Sequence, residues 1–290
     1  MSVLTVRHVT VYRYSEPVEL GEHRMMFRPR ESHDLRLLRS SLEITPNPAN
    51  LRWLHDAFDN SVAVATFDVP TVELRFDSSV TLEHFENTLP EYPLEEYAKT
   101  YPFRYSDEEL PNLAPALVNQ YPSDSLSLWV SQFLDPSGVT ATMGLLRSMT
   151  IGIRRDFRYT RRPEKGVQSP SQTLQRRCGS CRDFALLMIE ATRSLGLAAR
   201  FVSGYILVPG VDSGATRGAG ATHAWMQAYL PGAGWIDFDP TNSSIGNRNL
   251  IRVALAWDPK QALPLWGTYV GAASSFRGMD VTVSVREDGH

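Results

Sequence analysis

The chain has 290 residues, 42% of them hydrophobic, enough to bury a full core in one large domain or two moderate ones. Its 29 Lys and Arg against 32 Asp and Glu leave a formal charge of −3, so nothing points to a polyanion or an anionic membrane as partner, and nucleic acid recedes. The two cysteines, Cys178 and Cys181, lie too close together to staple a fold of this size, which removes the disulfide-scaffold class and leaves metal, redox or nucleophilic chemistry.

The opening run MSVLTVRHVTVYRYSEP carries Arg7 and His8 where a secretory signal needs unbroken apolar residues, and this predicts mature protein. No stretch approaches the roughly 20 apolar residues of a membrane-spanning helix, since even Phe184–Leu197 is interrupted by Glu190 and Arg193. A cytoplasmic protein is the expectation.

From Leu4 to Phe85 the sequence runs through β-rich segments, among them Leu4-Thr5-Val6, Val9-Thr10-Val11-Tyr12, Leu35–Ile44 and Val62–Phe67, with turn residues between them. They predict an antiparallel sandwich of short strands. Leu89–Pro122 then gathers Pro90, Pro93, Pro102, Pro111, Pro115 and Pro122 among acidic residues, a composition suited to a connector over the surface. The boundary is placed there, dividing a β-rich N-terminal domain (1–100) from a second domain (101–290).

Leu126, Trp129, Val130 and Phe133 within Ser125–Leu134, and the apolar stripe of Ala141–Ile153, predict two helices. Arg182–Leu195 carries Phe184, Leu187, Met188, Ala191 and Leu195 on one helical face, with Gly196 as its stop. Ala199–Leu207, Ala224–Leu230, Trp235–Phe238, Ile251–Ala256 and Val281–Val285 read as strands, the last of them, near 279–286, able to return to the N-terminal domain. Gly210–Ala221, rich in Gly, Ser and Ala, reads as a mobile loop leading to His223 and a candidate lid.

Gly179-Ser180-Cys181-Arg182-Asp183-Phe184 sets a thiol at the first turn of the strongest helix, where free backbone N–H groups and the helix dipole favour a thiolate. The N–H of Cys181 would also face the oxygen that turns negative when that thiolate attacks a carbonyl. His223 follows 42 positions later at the start of a strand, and Asp239 another 16 positions on, at the end of the next. A hairpin across Pro231–Gly234 would make His223 and Asp239 neighbours at one end of the sheet, facing the helix that carries Cys181. Thiolate nucleophile, imidazole proton carrier and orienting carboxylate would then stand together.

Gly179-Ser180-Cys181-Arg182-Asp183-Phe184-Ala185, Thr222-His223-Ala224-Trp225 and Gly234-Trp235-Ile236-Asp237-Phe238-Asp239-Pro240-Thr241-Asn242 closely resemble the three motifs of the bacterial transglutaminase-like superfamily, in that family's order. The resemblance extends to Phe157-Arg158-Tyr159 and Gly166–Pro170. His8–Tyr14 resembles the β-rich region that precedes the catalytic domain in one bacterial subgroup. The likeness implies an α+β fold with a papain/transglutaminase-like core, helices packed on an antiparallel sheet, behind a β-sandwich-like N-terminal domain. It also implies Cys181 as nucleophile, His223 as base and Asp239 as third member; no cofactor and no metal are expected. Because the superfamily holds transglutaminases, cysteine proteases and peptide N-glycanases, the shared implication is attack on an amide-type bond.

Cys178 departs from the family pattern and makes a C-x-x-C sequence. A thioredoxin-like redox protein would need a buried strand running into the motif, whereas Ser169–Arg177 is polar and holds Pro170, Arg176 and Arg177. Structural zinc would want about four ligands, and only Cys178, Cys181 and His223 are at hand. Oxidation joining the two thiols would cap the nucleophile. Alone, Cys181 would read as a small buried residue, His223 as a structural histidine and Asp239 as a turn initiator; their coincidence makes them catalytic. Asp237 shares a face with Asp239 and is set aside through the family match, while Asp183 is explained by the helix dipole. Cysteine-dependent acyl transfer on a protein or peptide, resolved by water, is the reading. Amine transfer, a scaffold that has lost the chemistry, and a homo-oligomer stay open.

Overall fold

The computed structural model describes residues 2–86, 91–162, 166–208 and 220–288. Its N-terminal region is built from β1 (Ser2–Met25), β2 (Leu35–Thr45), β3 (Asn50–His55), β4 (Ser61–Thr66) and β5 (Thr71–His84), all antiparallel, in the order β2-β5-β1-β4-β3. The expectation of short strands fails at β1, where 24 residues form one element and absorb the first two β-rich runs. Between Arg13 and Val18 its register against β5 slips, and Pro17 stands in that gap, where its missing N–H leaves no ladder bond unmade. Beyond the slip β1 takes β4 as neighbour, pairing His23 with Ala65, so the sheet curls around Tyr14, Val18, Met25, Phe27, Leu74 and Phe76.

The proline-rich connector is less bare than its composition suggests. It holds β6 (Thr100–Tyr101), which pairs with β7 (Thr140–Ala141), and α1 (Leu110–Leu117). Pro111 sits in the first turn of α1, where no intrahelical partner for its nitrogen is required. Next come α2 (Asp124–Ser131), α3 (Thr142–Asp156), β8 (Arg158–Tyr159), α4 (Pro170–Arg176), β9 (Cys178–Gly179) and α5 (Cys181–Ser194). Ser123 caps α2 by accepting from the Leu126 N–H, and Gly196 follows α5 with φ +73°, a conformation that costs glycine little.

The second sheet has the antiparallel order β13-β12-β11-β10-β14, made of β10 (Ala199–Ile206), β11 (His223–Leu230), β12 (Gly234–Asp239), β13 (Ser244–Ile245) and β14 (Leu250–Ala256). The apolar stripe of α5 packs on it: Phe184, Leu187, Met188 and Ala191 share one cluster with Phe201, Ala224, Met226 and Ala228. Each large aliphatic or aromatic side chain removed from water there contributes about 1.5–3 kcal/mol. Tyr205, Ile251 and Val253 pack instead with Leu4, Val6, Val80 and Leu82 of the N-terminal sheet.

The chain then returns to its start. β15 (Leu265–Val270) pairs with the far half of β1, and β16 (Phe276–Glu287) runs along the near half from Tyr14↔Phe276 to Leu4↔Glu287. Among the described residues no helix is long and apolar enough to cross a membrane. Of the candidate lid, 210–219 lie outside the described residues.

Candidate active site

Cys181 is the first residue of α5, with Ser180 as its N-cap in extended conformation. The turn before it is fixed from both sides. β8 and β9 form a parallel bridge that sets Tyr159 beside Gly179, and the Thr160 N–H donates to the Gly179 carbonyl at 2.9 Å. A Cβ on Gly179 would meet the Asp183 Cβ at 2.9 Å and Gln168 Nε2 at 3.2 Å, so this position needs glycine for close approach.

Asp183, one turn into the helix, does more than answer the dipole. Its fully buried carboxylate accepts from the Ser180 N–H at 2.8 Å and the Ser180 hydroxyl at 2.9 Å, from the Gln168 N–H at 2.7 Å, and from Arg162 Nε at 2.7 Å. Burial pushes this carboxyl up, but Arg162 and the backbone donors outweigh burial and hold it below the usual range. The loop before α4, the arginine at 162 and the nucleophile turn are thus tied through one charge. Arg162 and Gln168 are distant in sequence and carried no sign of this.

His223 opens β11 and Asp239 closes β12, and the hairpin between these strands turns through Gly232 (φ +88°) and Gly234 (φ +73°). His223 Nε2 and Asp239 Oδ2 are 2.8 Å apart, and both side chains are wholly buried. Asp239 Oδ1 accepts from the Thr241 N–H at 2.9 Å, and Asn242 Nδ2 donates to Oδ2 at 2.8 Å. Burial raises the Asp239 carboxyl, and the His223 charge and these hydrogen bonds more than reverse it, leaving the group ionised. Burial lowers the imidazole, whereas Asp239 and, after it, Cys181 hold it above its ordinary value.

With Nε2 committed to Asp239, the other nitrogen, Nδ1, is buried and makes no hydrogen bond of ordinary geometry. Cys181 also acts on the ring, raising it after Asp239 does, so the thiol lies near the imidazole. The thiol is 7% exposed, so it sits at a nearly closed surface. Tyr159, half-buried, joins the same enclosure: burial, then the charges of Cys181 and Asp239, push its phenol up to about 12. Tyr159 is a site neighbour that sequence reasoning gave no role, although its segment belonged to the upstream resemblance.

Asp237 resolves differently. Trp225 Nε1 donates to it at 2.6 Å and Gln227 Nε2 at 2.9 Å, and burial raises its carboxyl. The indole of Trp225 in turn stacks on His223 at 5.9 Å between centroids. Cys178 is half-buried in β9 and, like Cys181, a free thiol. No group of three or more His, Cys, Asp or Glu side chains arranged to hold a metal occurs among the described residues.

Comparison with known proteins bears on the family and the fold. Residues 4–83 match the family described as Bacterial transglutaminase-like N-terminal region, and residues 137–240 match the Transglutaminase-like superfamily. Over 297 residues the chain is 29% identical to an uncharacterized protein of Mycobacterium tuberculosis strain H37Rv, covering 97% of this chain and 91% of that one. An uncharacterized protein of Mycobacterium leprae is 27% identical over 287 residues, covering 97% and 98%. The crystal structure of a "Putative Cysteine Protease" from Cytophaga hutchinsonii superposes with a TM-score of 0.70 at 20% identity, covering 100% of this chain and 92% of that chain, a likeness of fold.

Proposed function

We propose that this chain, which belongs to the transglutaminase-like superfamily, hydrolyses amide bonds in proteins or peptides through a thioester on Cys181. The observation that carries the reading is His223, bound to Asp239 through Nε2 with its Nδ1 buried and unpartnered, and with Cys181 near enough to act on the ring.

The chemistry follows from those atoms. Proton transfer from the Cys181 thiol to Nδ1 leaves a thiolate at the N-terminus of α5, where the free N–H groups of the first turn favour negative charge. The thiolate attacks the amide carbonyl carbon, and the oxygen that becomes negative falls near the Cys181 N–H. His223 then gives its proton to the departing nitrogen, the C–N bond breaks, and the acyl group remains on sulfur. Asp239 keeps the ring oriented and balances its charge throughout. A water molecule, losing a proton to Nδ1, attacks the thioester, releases the carboxylic acid and restores the thiol. Water is the resolving nucleophile here because it is always present and no pocket built for an amine can be read.

Incubation with a peptide library, acid quenching and mass spectrometry test the proposal. An acyl adduct on Cys181 that disappears with time in water supports it. Adducts on Cys178 alone, or none on either cysteine, contradict it, and transfer of the acyl group to an added primary amine in place of water would replace hydrolysis with amine transfer.

A further inference from the structure

A second concave site lies where the N-terminal region meets the outer strands of the second sheet. It is a cavity of about 440 Å³ whose lining includes none of Cys181, His223 and Asp239.

Arg30, Arg200 and Arg252 all reach this cavity. Two of them are committed elsewhere: Arg30 donates to the Phe58 carbonyl and pairs with Asp59, and Arg252 pairs with Asp34 at 3.1 Å and donates to Ser32. Arg200 is different. Its Nε donates to Gln227 Oε1 at 2.8 Å and its guanidinium carbon lies over Trp235, 4.0 Å from the ring centroid. Among the described residues no carboxylate comes within ion-pairing distance of it, and its two outer nitrogens make no hydrogen bond. Burial, followed by the like charge of Arg252, pulls this guanidinium down to about 9 against the opposing charge of Asp237.

A guanidinium anchored at one edge by Gln227, placed over an indole and open at its other edge is already oriented to receive an anion in the cavity. The fork presented by the outer nitrogens matches a planar carboxylate with two parallel hydrogen bonds. Glu31, Asp34 and Asp237 share the wall, and their presence limits the negative charge the cavity accepts.

We infer that this cavity is a binding site for a small singly charged carboxylate, gripped by Arg200 against Trp235. It is separate from the thioester chemistry and stands whether or not that reading holds. An occupant would rest on the strand that carries Asp237, two residues before Asp239, and would bridge the N-terminal region and the catalytic sheet.

Thermal melts of the full chain with sodium acetate and N-acetylglycine, each against sodium chloride at equal ionic strength, test the inference. The expected result is a saturable rise in melting temperature with the carboxylates that chloride does not give, absent in Arg200→Gln and shifted to roughly tenfold higher concentration in Arg200→Lys, which keeps the charge and loses the fork. No saturable carboxylate effect on the native chain, or an equal effect in Arg200→Gln, overturns it. So does tighter binding of inorganic phosphate than of carboxylate. If Arg200→Gln does not fold, Arg200→Lys decides: undiminished binding overturns the site and weakened binding supports it.

Discussion

Asp237 and Asp239 stand two residues apart on β12 with their carboxylates on the same side, and different side chains of β11 reach them and give them different chemistry. Asp239 receives the imidazole of His223 and is held ionised; Asp237 receives an indole and a side-chain amide and is pushed toward its neutral form. Asp239→Asn should therefore cost roughly 10²- to 10⁴-fold in kcat, since the ring loses its orienting charge. Asp237→Asn should cost far less in kcat and show itself mainly in the melting temperature. Steady-state kinetics on both variants with one peptide substrate decide the assignment, and the reverse ranking would move the third triad position to Asp237.

The Cys181 turn should depend on Asp183 as a structural charge. Removing it in Asp183→Ala takes away the buried carboxylate that Arg162 and the Ser180 N–H share. Breaking such a pair costs on the order of 3–5 kcal/mol, which urea denaturation would report. Labelling of Cys181 should slow in the same variant, because the thiol no longer has a fixed place at the helix end.

Gly179→Ala should fail by crowding. The added methyl would come within 2.9 Å of the Asp183 Cβ, and the neighbours that would have to yield are the buried carboxylate and Gln168. The expected outcome is a loss of about 1–3 kcal/mol with a larger loss of kcat than of substrate affinity. Wild-type kcat in this variant would show that the turn has slack.

Stability should fall on the acid side well before the carboxylates titrate. His8 is buried against Phe27, with Tyr205 and Thr10 as hydrogen-bond partners, and burial lowers it from 6.5 to about 4; burial lowers His23 and His84 as well. Between those two values the unfolded chain binds the proton that the folded chain refuses, so stability drops as pH falls from 6.5 toward 4. For His8 alone the loss approaches about 3 kcal/mol at ~1.4 kcal/mol per pH unit. Denaturation curves at a series of pH values should show this limb, and His8→Gln should flatten it.

How much was legible follows from how local each signal is. The α5 stripe, its glycine stop and the strands that carry His223 and Asp239 are written in short windows, and the structure places those elements within a residue or two of expectation. The α4 helix was overlooked although Ser169, Pro170 and Gln172 spell a capping box at its start. The partners of Asp183 were invisible because Arg162 and Gln168 reach it only through the tertiary fold. Glu190 and Arg193 counted as polar interruptions of an apolar run. In the fold they form a buried pair at 2.7 Å, with Glu190 accepting from the Gln120 and Tyr121 N–H groups and Arg193 donating to carbonyls of Ala116, Ala199 and Trp257. Sequence alternation could show that both charges lie on α5, and only the packed structure shows what encloses them.

The central claim is that His223 activates Cys181, and the rate of iodoacetamide alkylation at each cysteine against pH tests it most directly. Activation predicts that Cys181 reacts faster than Cys178 near neutral pH although it is the more buried of the two, and that His223→Ala removes the difference. Equal slow reaction at both thiols, or a Cys181 rate unchanged by His223→Ala, would contradict it.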